Sequence, residues 1–117
     1  MNDKTRPEMD VNEYLPLTEA TFLIMLSLVQ GKKHGYAIMK DVAELSDERI
    51  TLGTGTLYGA LARMLDQEWI ERIEEEESTG RARKAYILSD LGRRILNAET
   101  ERLRALTAAA QLRLVVG

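Results

Sequence analysis

Between Leu52 and Gln67 the chain reads LGTGTLYGALARMLDQ, and no other stretch limits the possible folds as sharply. Leu57, Leu61, Met64 and Leu65 recur at helical spacing and define one face that must be buried. The opposite face carries Thr56, Gly59, Ala62 and Arg63, small residues with one long cation. Two glycines alternating with threonines supply a short polar start. A helix with so little bulk on its outer side can lie close against another body. The major groove of double-stranded DNA is about wide enough to admit one α-helix. Taken alone, an ordinary amphipathic surface helix would show the same pattern, so the flanking segments carry the decision.

Those flanks have the order of a helix-turn-helix. Thr18 is placed to cap a helix from Glu19 to about Gln30, with Glu19 favourable in its first turn and Gly31 ending it. The run Phe22-Leu23-Ile24-Met25-Leu26 makes this helix apolar nearly all round, so it needs cover on more than one side. In a chain of 117 residues, one domain's worth, the second cover points to another subunit. After KKHG, a stripe of Ile38, Met39, Val42 and Leu45 predicts a second helix over 36–45, and Ile50-Thr51-Leu52 reads as a very short strand. The stretch from Leu52 is then the third helix of the unit.

Beyond it the period changes. Trp69 to Glu74 and Lys84 to Leu88 read as two strands joined by a long tip, Glu75 to Arg83, that contains Ser78, Thr79 and Gly80. A hairpin directly after a helix-turn-helix is the wing of a winged helix. Charge separates along it. Asp66 to Glu77 holds seven acids and one arginine, whereas Ser78 to Arg94 holds five bases and one acid. Arg81, Arg83 and Lys84 therefore form a basic side able to reach phosphate or a minor groove, against the alternative of a solvated charged loop. The net charge of −3 argues against indiscriminate binding to nucleic acid, because DNA affinity rests largely on neutralised phosphates.

Ser89 caps the last helix, Asp90 to about Leu114, with Leu91, Ile95 and Ala98 turned back to the domain. Leu96, Leu103, Leu106, Ala110 and Leu114 form a further stripe near heptad spacing that overhangs the domain. With Phe22 and Leu26 of the first helix, that stripe predicts a homodimer. The fold class is mainly α with a small β wing. It divides into an N-terminal arm (1–16), holding both prolines, a winged helix-turn-helix (17–88) and a C-terminal dimerisation helix (89–117).

The chain has no cysteine and one histidine, His34, so no metal site and no cofactor are expected, and the residues for an enzyme are lacking. His34 reads as a turn residue. No apolar run approaches the ~18 residues of a membrane span, and the first ten residues lack the apolar core of a secretory signal. A cytoplasmic location is expected.

The segments PLTEATFLIMLSL, HGYAIMKDVAELS, LGTGTLYGALARML and GRARKAYILSDLGRRIL, in this order, resemble the PadR family of bacterial transcriptional regulators over Pro16 to about Leu96. The single C-terminal helix resembles the smaller of that family's subgroups. The resemblance implies a homodimeric winged-helix repressor on a pseudo-palindromic operator in double-stranded DNA, with release by a small-molecule effector left open. It maps DNA-facing roles onto Tyr36, Thr56, Tyr58 and Arg63, and onto Arg81, Arg83 and Lys84 in the wing. Tyr36 and Tyr58 can donate a phenol to phosphate, or can be half-buried core residues. Thr56 can donate from the helix N-terminus, and Arg63 can read a guanine edge or meet phosphate. Thr54 stands where the family often has proline, and Trp69, read as core, where leucine is usual. Some small members sandwich flat aromatic drugs between tryptophans of the two C-terminal helices, but here that helix has no aromatic residue. A winged helix used only for protein contact is the alternative function.

Overall fold

A computed structural model of the chain describes residues 10–76 and 82–116. Four helices, α1 (Glu19–Ser27), α2 (Gly35–Leu45), α3 (Thr54–Asp66) and α4 (Asp90–Val116), surround a three-stranded antiparallel sheet of β1 (Lys33–His34), β2 (Ile70–Glu76) and β3 (Ala82–Leu88). The strand order is β1-β3-β2. This is a winged helix-turn-helix extended by a long C-terminal helix.

Thr18 caps α1 as its sequence position requires, its hydroxyl accepting from Thr21 N at 3.1 Å. The helix stops at Ser27, three residues earlier than its apolar pattern suggests. Leu28 N and Val29 N bond back to Met25 O and Leu26 O, tightening the chain into a turn that Gly31 completes at φ 146°. Lys33 Nζ takes up the Ser27 carbonyl at 2.8 Å, so a helix end inside the domain is not left unsatisfied. Ile24, Met25 and Leu28 are fully buried. At roughly 1.5–3 kcal/mol for each such side chain, they anchor α1 to its own domain, and Phe22 and Leu26 remain half-buried at its edge.

The short strand expected at 50–52 is absent, and the third strand comes from Lys33–His34 instead. Ser46 explains the first half of this. Its hydroxyl accepts from Ile50 N at 3.0 Å and faces Ile50 O, closing the α2–α3 loop on itself and using the groups a strand would need. Lys33 and His34 meanwhile lie beside Tyr86 and Ala85 on the free edge of β3. The hairpin is longer than its apolar residues indicated, with pairing from Ile70↔Leu88 to Glu76↔Ala82. Arg81 lies outside the described residues.

The strand-to-helix junction is pinned on one residue. Trp69 O accepts from Ser89 N and from the Ser89 hydroxyl, and that hydroxyl in turn accepts from Gly92 N. A Cβ on Gly92 would collide with the Trp69 carbonyl, so only glycine lets α4 pass this close. Gly92, Ile95, Leu96 and Glu99 then share the buried face of α4. Leu96, expected on the overhanging stripe, is therefore corrected to the core, where it is 4% exposed and has no surface for a seam. Trp69 is core, as expected.

Residues 10–16 of the N-terminal arm lie on the chain's own domain. Val11–Tyr14 form a 3-10 helix whose Asp10 cap accepts from Asn12 N. Val11, Tyr14, Leu15 and Leu17 pack on the chain's own core. Tyr14 stands edge-on to Trp69 with centroids 5.5 Å apart, and Leu17 N donates to the buried Glu99 carboxylate at 3.0 Å. The long helix α4 runs past all of this. From Arg104 to Val115 its residues are exposed, including Leu106, Ala110, Leu112 and Leu114, an overhang of about 18 Å at 1.5 Å per residue.

Candidate nucleic-acid interface

Leu57, Ala60, Leu61 and Met64 bury one face of α3, with Leu65 half-buried beside them. Thr54, Gly55, Thr56, Tyr58, Ala62 and Arg63 are exposed on the rest, and Gly59 is half-exposed. The outer face of α3 is thus as slight as its composition implies.

Two of the four helices begin without a side-chain cap. His34 and Gly53 precede α2 and α3, neither offers a side-chain acceptor to the helix, and neither first turn contains an acid. By contrast α1 and α4 are capped by Thr18 and Ser89 and carry Glu19 and Asp90 in their first turns. Uncapped amides and the positive end of the helix dipole favour an anion. Among the described residues, the two helices of the helix-turn-helix are the ones that keep that capacity.

The start of α2, the second turn of α3 and strand β3 together enclose a shallow groove of about 330 Å³, lined by His34, Gly35, Tyr36, Tyr58, Arg83 and Lys84. Four of the seven residues singled out for DNA, Tyr36, Tyr58, Arg83 and Lys84, converge here from distant parts of the chain. Tyr36 is 72% and Tyr58 44% exposed, so neither is a core tyrosine. Gly35 is buried against the Tyr58 ring, and a Cβ there would strike the phenol. Tyr86 lies buried behind, its phenol pushed up by burial, with the neighbouring Tyr58 adding to the shift.

Thr56 is exposed in the first turn of α3. Arg63 does not line the groove. It sits in the last turn of α3, and its guanidinium folds back along the helix toward Gly59, as helical side chains do. There it borders a separate crevice with Thr18, Thr21 and Gln67.

The acidic half of the hairpin also finds its place. In the ladder Glu74 stands opposite Lys84 and Glu75 opposite Arg83, cross-strand pairs of opposite charge that favour this register. Glu75 does more. Its carboxylate accepts from His34 Nε2 at 2.9 Å and from Lys32 Nζ. The Lys32 ammonium, with His34 adding, holds it below the usual carboxylate range. Lys32, Gly35 and Tyr86 carry no site role in the sequence reading, and Glu75 enters it only as part of the acidic run of the hairpin; the sheet is what brings them beside the groove. Among the described residues no group of three metal-ligating side chains occurs, and no helix is long and apolar enough to cross a membrane.

Several known proteins share this architecture. A PadR family transcription regulator from Clostridium difficile superposes with a TM-score of 0.69 at 27% identity, over 81% of this chain and 97% of that one. A transcriptional regulator from Clostridium thermocellum gives 0.68 at 23% identity, over 90% and 95%. Bacillus subtilis PadR in complex with operator DNA gives 0.64 at 23% identity, over 72% and 47%. In sequence, an uncharacterized 37.1 kDa protein in a transposon of Streptomyces fradiae is 36% identical over 89 residues, 76% of this chain but only 24% of that protein's length. The sequence model of the transcriptional regulator PadR-like family matches residues 24–98, well over half of the chain. The chain therefore belongs to the PadR-like family of transcriptional regulators.

Proposed function

We propose that two copies of this chain form a repressor that binds a pseudo-palindromic operator. Residues 17–88 of each copy engage one half-site, and 89–117 join the copies. The observation that carries this reading is the convergence of Tyr36, Tyr58, Arg83 and Lys84 on one groove beside the slight outer face of α3. In the resulting division of labour, α3 enters the major groove and Thr56 meets the backbone at its start. Tyr36, Tyr58, Arg83 and Lys84 hold flanking phosphates, which sets register without reading sequence. Arg63, on the far half of α3, meets the edge of the site. Bacillus subtilis PadR, which has the same fold, has been solved in complex with operator DNA, which supports DNA as the partner in this reading.

The dimer rests on α4. Leu103, Leu106, Ala110 and Leu114 are exposed at near-heptad spacing along one side of an overhang that its own domain does not cover, and an exposed apolar stripe of that kind marks an interaction site. Leu103, with Phe22 and Leu23, borders an apolar groove of about 350 Å³ between α1 and α4 at the root of that overhang. This groove is the place in the reading for a small-molecule effector.

The test is a binding titration of the purified protein on the duplex upstream of its own gene and on genomic fragments, with random duplex as competitor, across a salt series. Competitor-resistant binding by two copies per site, weakening steeply with ionic strength, is the expected result. A protein that retains its fold but binds no fragment would leave the winged helix as a protein-contact module.

A further inference from the structure

The Glu75 cluster has no place in the binding scheme above, yet it sits on the groove's rim. Its carboxylate spans two donors with its two oxygens. His34 Nε2 lies 2.9 Å from Oε1, and Lys32 Nζ pairs with Oε2. These donors precede α2, so Glu75 reaches them across the middle strand of the sheet, although Arg83 stands opposite it in the ladder. His34 also lines the groove that holds Tyr36, Tyr58, Arg83 and Lys84. A bidentate carboxylate therefore occupies a Lys–His pair beside the proposed phosphate-binding surface.

We propose that Lys32 and His34 are a further pair of phosphate contacts, and that Glu75 occupies them in the free protein, so that a bound duplex exchanges one carboxylate for one phosphate. The inference rests on the DNA-binding reading of the groove. The chemistry of the exchange is matched, because a carboxylate and a phosphate both present two anionic oxygens to the same donors. The energetics permit it, since Lys32 is more than half exposed and an ion pair of that kind is held weakly. Displaced, Glu75 remains at the end of β2 facing Arg83 and solvent, so no charge is stranded in the core. The consequence is a uniform cost. Every duplex must displace the same carboxylate, so the exchange weakens binding to all sequences by one factor and leaves discrimination to the base contacts. In a chain of net charge −3 with a basic wing, it sets how much DNA of any sequence is held at a given salt.

The experiment compares the full-length protein with Glu75→Gln, Glu74→Gln, Lys32→Ala and the Lys32→Ala/Glu75→Gln double variant on a random-sequence duplex, by fluorescence anisotropy over a salt series. Glu74 lies next in the same strand, so its variant removes the same charge without touching Lys32 or His34. Glu75→Gln is expected to tighten binding roughly three- to fivefold near physiological salt and to steepen the salt slope by about one. Glu74→Gln should change affinity less, and the double variant should lose the gain. Equal gains from Glu75→Gln and Glu74→Gln, or a gain that survives Lys32→Ala, would show that only net charge acts and would overturn the exchange. If neither wild type nor Glu75→Gln binds duplex even at low salt, the DNA-binding reading of the groove falls first and takes the exchange with it.

Discussion

The Tyr58 phenol occupies the space where a side chain on Gly35 would have to sit. Gly35 opens α2, and Tyr58 lies in the second turn of α3, so this contact sets the spacing of the two helices on the side where the groove opens. Gly35→Ala should push the Tyr58 ring outward. The ring end is partly exposed and can yield, so the stability cost stays near 1 kcal/mol. Duplex affinity should fall about fivefold, the worth of one misplaced hydrogen bond of about 1 kcal/mol. Urea denaturation and anisotropy on the same sample separate the two effects, and unchanged affinity would remove Tyr58 from the interface.

Gly59 tests the other side of the same helix. A Cβ there would meet nothing nearer than Arg63 Nη1 at 3.8 Å, an ordinary contact. Gly59→Ala should therefore stabilise the protein by about 0.5–1 kcal/mol through backbone entropy alone. If α3 lies in a groove of DNA on this face, the added methyl should weaken binding while raising Tm. A variant that is both more stable and equally tight would place the DNA elsewhere.

Glu99 joins the N-terminal segment to α4. Its carboxylate is 2% exposed and accepts from Arg102 Nε at 2.6 Å, from Arg102 Nη2 at 2.9 Å and from Leu17 N at 3.0 Å. The Arg102 bonds, helped by the Leu17 amide, hold its pKa below the ordinary value against the opposing effect of burial. A depressed carboxylate stabilises the fold fully above the unfolded pKa, about 4.3, and that contribution is lost as pH falls through the lower folded value. Glu99→Gln should thus be less stable than wild type at neutral pH by about 1–3 kcal/mol, since a carboxamide cannot take both Arg102 bonds. The gap should narrow in melts below pH 4. A constant difference across pH would mean that Glu99 acts by shape and not by charge.

Leu106→Glu places a charge on the exposed stripe of α4 without entering the core, because Leu106 is 55% exposed. The expected outcome is an intact fold by circular dichroism, monomers by sedimentation and operator affinity reduced at least tenfold. A persistent dimer would move the seam away from this stripe.

Local features were readable where a residue's chemistry decides its own neighbourhood. Thr18 and Ser89 cap their helices because a hydroxyl just before a helical run has free amides within reach. The burial of Ile38, Val42, Leu57, Leu61 and Met64 follows from helical spacing alone. The slight face of α3 follows from its composition. Strand limits were less readable, because Glu71, Glu74, Glu75 and Arg83 give the hairpin no clean alternation, and its length is set by pairing with β3.

The order of helices, hairpin and long final helix was therefore determined by the sequence itself, through periodicity, caps and charge runs that act within a few residues. Tertiary structure alone decided what depends on contacts between distant segments. It took Leu96 from the stripe into the core, because Gly92 lets α4 press against Trp69. It folded the segment from Val11 to Leu17 onto the domain, with Tyr14 against Trp69 and Leu17 N on Glu99, and made a strand of Lys33–His34 because the edge of β3 lay open beside it. It also gathered Tyr36, Tyr58, Arg83 and Lys84 around one groove and set Glu75 on Lys32 and His34. Such pairings span tens of residues, and no local periodicity encodes them; they exist only once the sheet has closed.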